Sequence, residues 1–191
     1  IGELREAVEM KPDYSEAHNL LGTIYAETDR LDEAISEFQK ALANLLYETP
    51  SFALNGLGWA YYKKGQYDAA LGRFQEILDR DPASSILPLV EKNMGIVYFA
   101  QGDYGQSLKH LRRSAELAPD FARDQLHFWM GKALAALGDL EGAKSEFQKS
   151  VKAASNSQYS LDSAAELEKL RMKEDATPPV KAPVPAPEAQ A

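Results

Sequence analysis

Apolar residues in this chain recur at three- and four-residue spacing, in stretches separated by short polar breaks. That spacing predicts amphipathic helices. Thr28-Asp29-Arg30, Lys64-Gly65-Gln66, Gln101-Gly102-Asp103 and Leu137-Gly138-Asp139 each divide a unit into two predicted antiparallel helices. A glycine in such a break accepts the left-handed conformation that ends a helix. Asp32, Asp68 and Asp103 then fall at or near the start of the following helix, where unpaired N–H groups favour an anion.

The pattern repeats along the chain. Asn19-Leu20-Leu21-Gly22-Thr23-Ile24-Tyr25 is echoed by Asn55-Gly56-Leu57-Gly58-Trp59-Ala60-Tyr61 and by Lys92-Asn93-Met94-Gly95-Ile96-Val97-Tyr98. A weaker copy runs from Phe128 to Leu134. The glycines Gly22, Gly58, Gly95 and Gly131 are 36, 37 and 36 residues apart. Three residues after them stand Tyr25, Tyr61, Tyr98 and Leu134; twelve after, Ala34, Ala70, Ser107 and Ala143. Sixteen after come Phe38, Phe74, Leu111 and Phe147; nineteen after, Ala41, Ile77, Ser114 and Ser150. Glycines let the paired helix approach, large side chains fill the remaining space, and small residues offer matching hollows. Ile77 departs from the small-residue rule, so its junction is expected to open or shift.

One hairpin cannot bury its apolar stripe, but stacked hairpins can. The expected fold is all-α, a right-handed solenoid of antiparallel helix pairs. Residues 1–14 read as the second helix of an upstream unit whose first helix is missing. Residues 15–155 read as four full hairpins (15–50, 51–87, 88–123 and 124–155), and 156–174 as an amphipathic capping helix. The Pro/Ala-rich residues 175–191 are expected to be extended or disordered, since such a composition builds no core.

Composition narrows the function. The 191 residues carry 21 Lys and Arg against 29 Asp and Glu, a formal net charge of -8 with no cationic stripe. Nucleic acid is therefore not an expected partner. The absence of cysteine removes disulfides, thiolate zinc sites and Cys nucleophiles. No run of 18 apolar residues occurs. The opening Ile1 reads as a processed form, from which an upstream anchor is invisible.

The in-phase repeat resembles the tetratricopeptide repeat, over residues 1–155. That family usually repeats about every 34 residues, and the extra residues here fall between units, as in Leu45–Pro50 and Ala83–Pro88. The run Ala41-Leu42-Ala43-Asn44-Leu45-Leu46-Tyr47-Glu48-Thr49-Pro50, followed by Ala53-Leu54-Asn55-Gly56-Leu57-Gly58, is similar to a junction in the pilotin lipoproteins of type IV pilus systems. In that family a Leu-Tyr-x-Thr-Pro insertion bridges two repeats. The resemblance implies a superhelix on the inner face of a bacterial outer membrane that helps the pilus secretin reach that membrane and assemble. The lipid-bearing Cys expected near a pilotin's mature N-terminus is not in this chain, so membrane contact is expected only through an anchor outside it. A cytoplasmic location is the alternative.

In such a stack the first helix of each unit lines the concave face. The expected peptide groove comprises Phe52, Asn55, Trp59, Tyr62 and Lys63 from the second unit, Lys92, Ile96 and Phe99 from the third, and Phe128 and Lys132 from the fourth. Clustered exposed aromatics point to a binding patch. The competing reading is that curvature or the cap helix covers some of them. The implied partner is an apolar or amphipathic protein segment, a secretin segment among the candidates, with Lys63, Lys92 and Lys132 receiving acidic residues at the rim. Asn19, Thr23, Gly56, Leu89 and Asn93 keep only part of the carboxylate clamp of another class of the family.

Catalytic patterns are weak. His18, His110 and His127 are far apart in the repeat, and His18 and His127 share one packing place. Glu166 with Glu168, and Asp79 with Asp81, read as solvated helix surface. Gly56-x-Gly58 lies inside a predicted helix and is no nucleotide loop. The expectation is a non-catalytic scaffold without cofactor or metal. The alternatives are a general adaptor that holds a complex together and a repeat segment of a larger enzyme.

Overall fold

A computed structural model describes residues 1–175, with side chains through residue 173. Every regular element among the described residues is an α-helix. α1 (Gly2–Met10) precedes four consecutive pairs: α2 (Ser15–Glu27) with α3 (Leu31–Ala43), α4 (Pro50–Lys63) with α5 (Tyr67–Arg80), α6 (Leu87–Gln101) with α7 (Tyr104–Leu117), and α8 (Arg123–Ala136) with α9 (Leu140–Ala153). α10 (Gln158–Asp175) packs on α9 and α8. The expectation for the Pro/Ala-rich tail lies outside the described residues.

Local sequence explains where the helices start and stop. Pro50 and Pro88 sit in the first turns of α4 and α6, where no N–H is needed. Asp103 and Asp139 cap α7 and α9 by accepting from the backbone N–H of Gln106 and Gly142. The breaks inside units two to four use Gly65, Gly102 and Gly138, with φ of 74°, 84° and 87°. In the first unit Asp29 holds that place at φ 59°, a conformation that short polar side chains tolerate better than most.

The in-phase residues meet inside each pair. A Cβ added at Gly22 would lie 2.8 Å from the Phe38 ring; at Gly58 it would lie 2.7 Å from Phe74. The values are 2.7 Å for Gly95 against Leu111 and 2.6 Å for Gly131 against Phe147. Phe38 also presses on Gly56 of the next unit, so one ring keys two units together. Ala34, Ala70, Ser107 and Ala143 are wholly buried. Ser114 Oγ donates to the Pro88 carbonyl at 2.6 Å, and Ser150 Oγ to the Asp124 carbonyl at 2.8 Å. These small residues thus anchor the start of their own unit's first helix. Ile77 is wholly buried in a cluster with Leu54, Phe74, Ile86 and Val90. α5 packs less extensively on α6 than α3 does on α4 or α7 on α8, as its larger side chain leads one to expect.

Curvature follows from which helices touch. The first helices contact one another in sequence, α2 with α4, α4 with α6, α6 with α8 and α8 with α10. Among the described residues, successive second helices make no such contact. The first helices are therefore crowded on the inside of the curve and the second helices spread on the outside.

Candidate peptide-binding groove

The crowded first helices enclose an open cavity of about 480 Å³. Asn19, Thr23, Ala26 and Glu27 come from α2; Phe52, Asn55, Gly56, Trp59 and Lys63 from α4. α6 contributes Leu89, Lys92 and Asn93, and α8 contributes Gln125. The helical period puts these positions on one face of each helix. Phe52 is half exposed, an apolar ring open to solvent at the mouth. Asn93 Nδ2 donates to Asn55 Oδ1 at 3.0 Å, tying α6 to α4.

The residues expected in the groove divide into two sets. Phe52, Asn55, Trp59, Lys63 and Lys92 line the cavity together. Tyr62 is not among the residues that line this cavity; its ring lies 4.7 Å from Trp59 and 6.1 Å from Tyr67. Phe99 is partly buried, with the rings of Tyr104 and Trp129 each at 5.2 Å. Ile96 is only 2% exposed, which corrects the expectation of an open position. The cause is the setting of α6, which is flanked by α4, α5, α7 and α8 and buried continuously from Val90 to Val97. Phe128 is covered from the cap side, with Tyr159 of α10 at 5.5 Å. Lys132 pairs with Glu166 of the same cap helix at 3.6 Å.

The lysines also differ from a uniform rim. Lys63 Nζ lies 3.0 Å from Asp29 Oδ1 and donates to the Ala26 carbonyl at 3.1 Å. Lys92 lies on the cavity floor, 9% exposed, and donates to Gln125 Oε1 at 2.7 Å. Gln125 is itself held by donating from Nε2 to the Tyr159 hydroxyl. Burial pushes the Lys92 ammonium below the ordinary lysine range, with Asp124 opposing. Tyr159 was not singled out in the sequence, because only the docking of α10 brings it against Gln125.

A second set was legible but missed. His18 Nδ1 meets Glu37 at 2.6 Å, His110 meets Glu91 at 2.7 Å and His127 meets Glu146 at 2.7 Å. Each pair is separated by 19 residues and joins the two helices of one unit. The third unit reverses the polarity, with Glu on the first helix and His on the second. The constant separation was the available signal. Burial raises the carboxyl of Glu37, yet hydrogen bonds from Lys40 and His18 outweigh it and hold the group below its usual range. Glu146 behaves likewise with His127 and Lys149. Among the described residues no group of three or more His, Cys, Asp or Glu is arranged to hold a metal ion. No described helix is long and apolar enough to cross a membrane.

Helix pairs stacked through glycine–aromatic contacts, with an inner wall built from the first helices, define a tetratricopeptide architecture. Family models of the tetratricopeptide repeat match residues 13–83 and residues 92–158. The chain belongs to the tetratricopeptide repeat proteins.

Curated relatives include the heat shock protein sti1 homolog of Schizosaccharomyces pombe, 30% identical over 117 residues, which are 60% of this chain and 19% of that protein. The TPR repeat-containing protein YpiA of Bacillus subtilis is 29% identical over 164 residues, 78% of this chain and 36% of that protein. The match spans between 13% and 37% of the length of these and other curated relatives. Among solved structures, the crystal structure of PilW, described as a widely conserved type IV pilus biogenesis factor, superposes with a TM-score of 0.73 at 22% identity. The match covers 83% of this chain and 71% of that one. Pseudomonas aeruginosa pilF gives a TM-score of 0.74 at 22% identity, covering 90% and 75%. At these identities the likeness is one of fold.

Proposed function

We propose that this chain is a non-catalytic scaffold that binds an apolar or amphipathic segment of a partner protein in the groove between its first helices. The cavity that joins Phe52 and Trp59 to the amides of Asn55 and Asn93 is the observation that carries this reading. Large apolar side chains set beside a few polar groups, in an open cleft, suit a peptide whose side chains alternate in character. The more specific reading is a pilotin-like factor for outer-membrane targeting or assembly of a type IV pilus secretin, acting at the periplasmic face of that membrane. Two things support it: the Leu-Tyr-Glu-Thr-Pro junction at residues 46–50, and a fold shared with PilW and pilF across most of both chains.

Binding of the chain to the C-terminal part of a secretin, followed by calorimetry, tests both levels. Trp59→Ala or Phe52→Ala is expected to weaken binding by about 2 kcal/mol, with helicity unchanged by circular dichroism. A secretin segment that does not bind removes the pilus reading. Binding that ignores both substitutions removes the groove.

A general adaptor that holds a complex together through its outer face is a second reading. A cavity of about 510 Å³ on that face, lined by Gln39, Leu42, Tyr61, Gly72 and Arg73 among others, favours it.

A further inference from the structure

Of the three lysines expected at the groove, two already have carboxylates: Lys63 has Asp29 and Lys132 has Glu166. Lys92 has none. It is the most buried of the three; among the described residues its ammonium donates to the neutral amide oxygen of Gln125 and lies 5.5 Å from the centre of the Phe121 ring. A cation taken out of water without a carboxylate in direct contact is costly in the free protein. Lys92 lines the cavity that a partner is proposed to enter.

Lys92 and Asn55 stand three residues before Gly95 and Gly58, the same register of two touching helices. The Asn55 oxygen is taken by Asn93, which among the described residues leaves the Asn55 Nδ2 as an unused donor lining the same cavity. One ammonium and one amide N–H₂ make a receptor for a single carboxylate. Apolar positions flank it along the helix direction, with Phe52 and Leu89 toward the helix starts and Trp59 toward the helix ends. A terminal carboxylate would leave one of those flanks uncovered. An internal acidic residue with apolar neighbours on both sides covers both.

We propose that the groove recognises an internal Asp or Glu side chain of its peptide partner, seated on Lys92 and Asn55 between apolar residues that pack on Trp59 and on Phe52. This rests on the groove reading given under Proposed function, and it narrows the class of partner.

The test uses the full chain and a library of random dodecapeptides with amidated C-termini. Selected peptides are expected to share an acidic residue with apolar neighbours on both sides. Replacing that Glu by Gln is expected to weaken binding to the unaltered chain at least about tenfold. The same replacement should change binding to Lys92→Met less than about twofold, since the cation it served is gone. The peptide-side change needs no protein variant, so it stands even if Lys92→Met folds poorly. Selected peptides with no shared acid, or affinity indifferent to Glu→Gln, would overturn the proposal while leaving the groove. Binding only to versions with a free C-terminal carboxylate would also overturn it. Peptides whose affinity is unchanged by Trp59→Ala bind elsewhere, which overturns the groove itself.

Discussion

Single residues set how closely the helices approach. Gly58 and Gly72 are both helical glycines of the second unit, yet they have opposite surroundings. A Cβ at Gly58 would stand 2.7 Å from the wholly buried Phe74 ring. Gly58→Ala is expected to cost about 1–3 kcal/mol through overpacking. At Gly72 nothing lies within 4 Å of the added atom, so Gly72→Ala is expected to gain about 0.5–1 kcal/mol from reduced backbone entropy. Urea denaturation of the two variants reads the difference directly. Ser107 offers a third case at this scale. Its hydroxyl is fully buried and has no hydrogen-bond partner among the described residues. Ala34, Ala70 and Ala143 hold the equivalent place in the other units. Ser107→Ala is expected to raise stability by about 1 kcal/mol, because a desolvated, unpaired hydroxyl is removed.

At the scale of the helix pair, the His–Glu contacts fasten each of units one, three and four across its interior. They also make stability depend on pH. The carboxyls of Glu37 and Glu146 are held below their ordinary range in the folded chain. Unfolding returns them to about 4.3. As the pH falls, the unfolded chain takes up protons first, so these groups contribute fully above that value. Their contribution is lost as pH drops through the folded values. Denaturation midpoints measured at pH 6, 5, 4 and 3 are expected to fall. Glu146→Gln should lower the midpoint more at pH 6 than at pH 3, giving a shallower slope. A slope equal to that of the unaltered chain would show that the pair carries no acid sensitivity.

The whole molecule is a row of units joined only to their neighbours, so its stability is divided by junctions. The sparsest junction within the four pairs joins α5 to α6, where Ile77 replaces the small residue found at Ala41, Ser114 and Ser150. Amide hydrogen exchange is expected to reveal two cooperative blocks, α2–α5 and α6–α10, with the lowest protection around residues 81–86. One uniform block would show that Ile77 seals this junction as well as its smaller counterparts do. The cap closes the other end. Tyr159 covers Phe128, and Glu166 pairs with Lys132. The cap thereby limits the open groove to its first three units and the start of α8.

The sequence by itself determined the helix pairs, their breaks and the all-α stack. Those features rest on spacing within one unit, and spacing is local. It also determined which positions carry the glycine keys, because a glycine and a large apolar partner recur four times in phase, the partner being Phe38, Phe74, Leu111 and Phe147. It marked Phe52, Asn55, Trp59, Lys63 and Lys92, which share the cavity. Only the tertiary structure decided that Ile96 is enclosed by four helices, that Phe128 and Lys132 belong to the cap contact, and that among the described residues Lys92 donates to an amide instead of a carboxylate. Helical periodicity gives the direction in which a side chain points from its own helix. How far that side chain stands from solvent depends on the neighbouring helices, and those are fixed only when the stack closes.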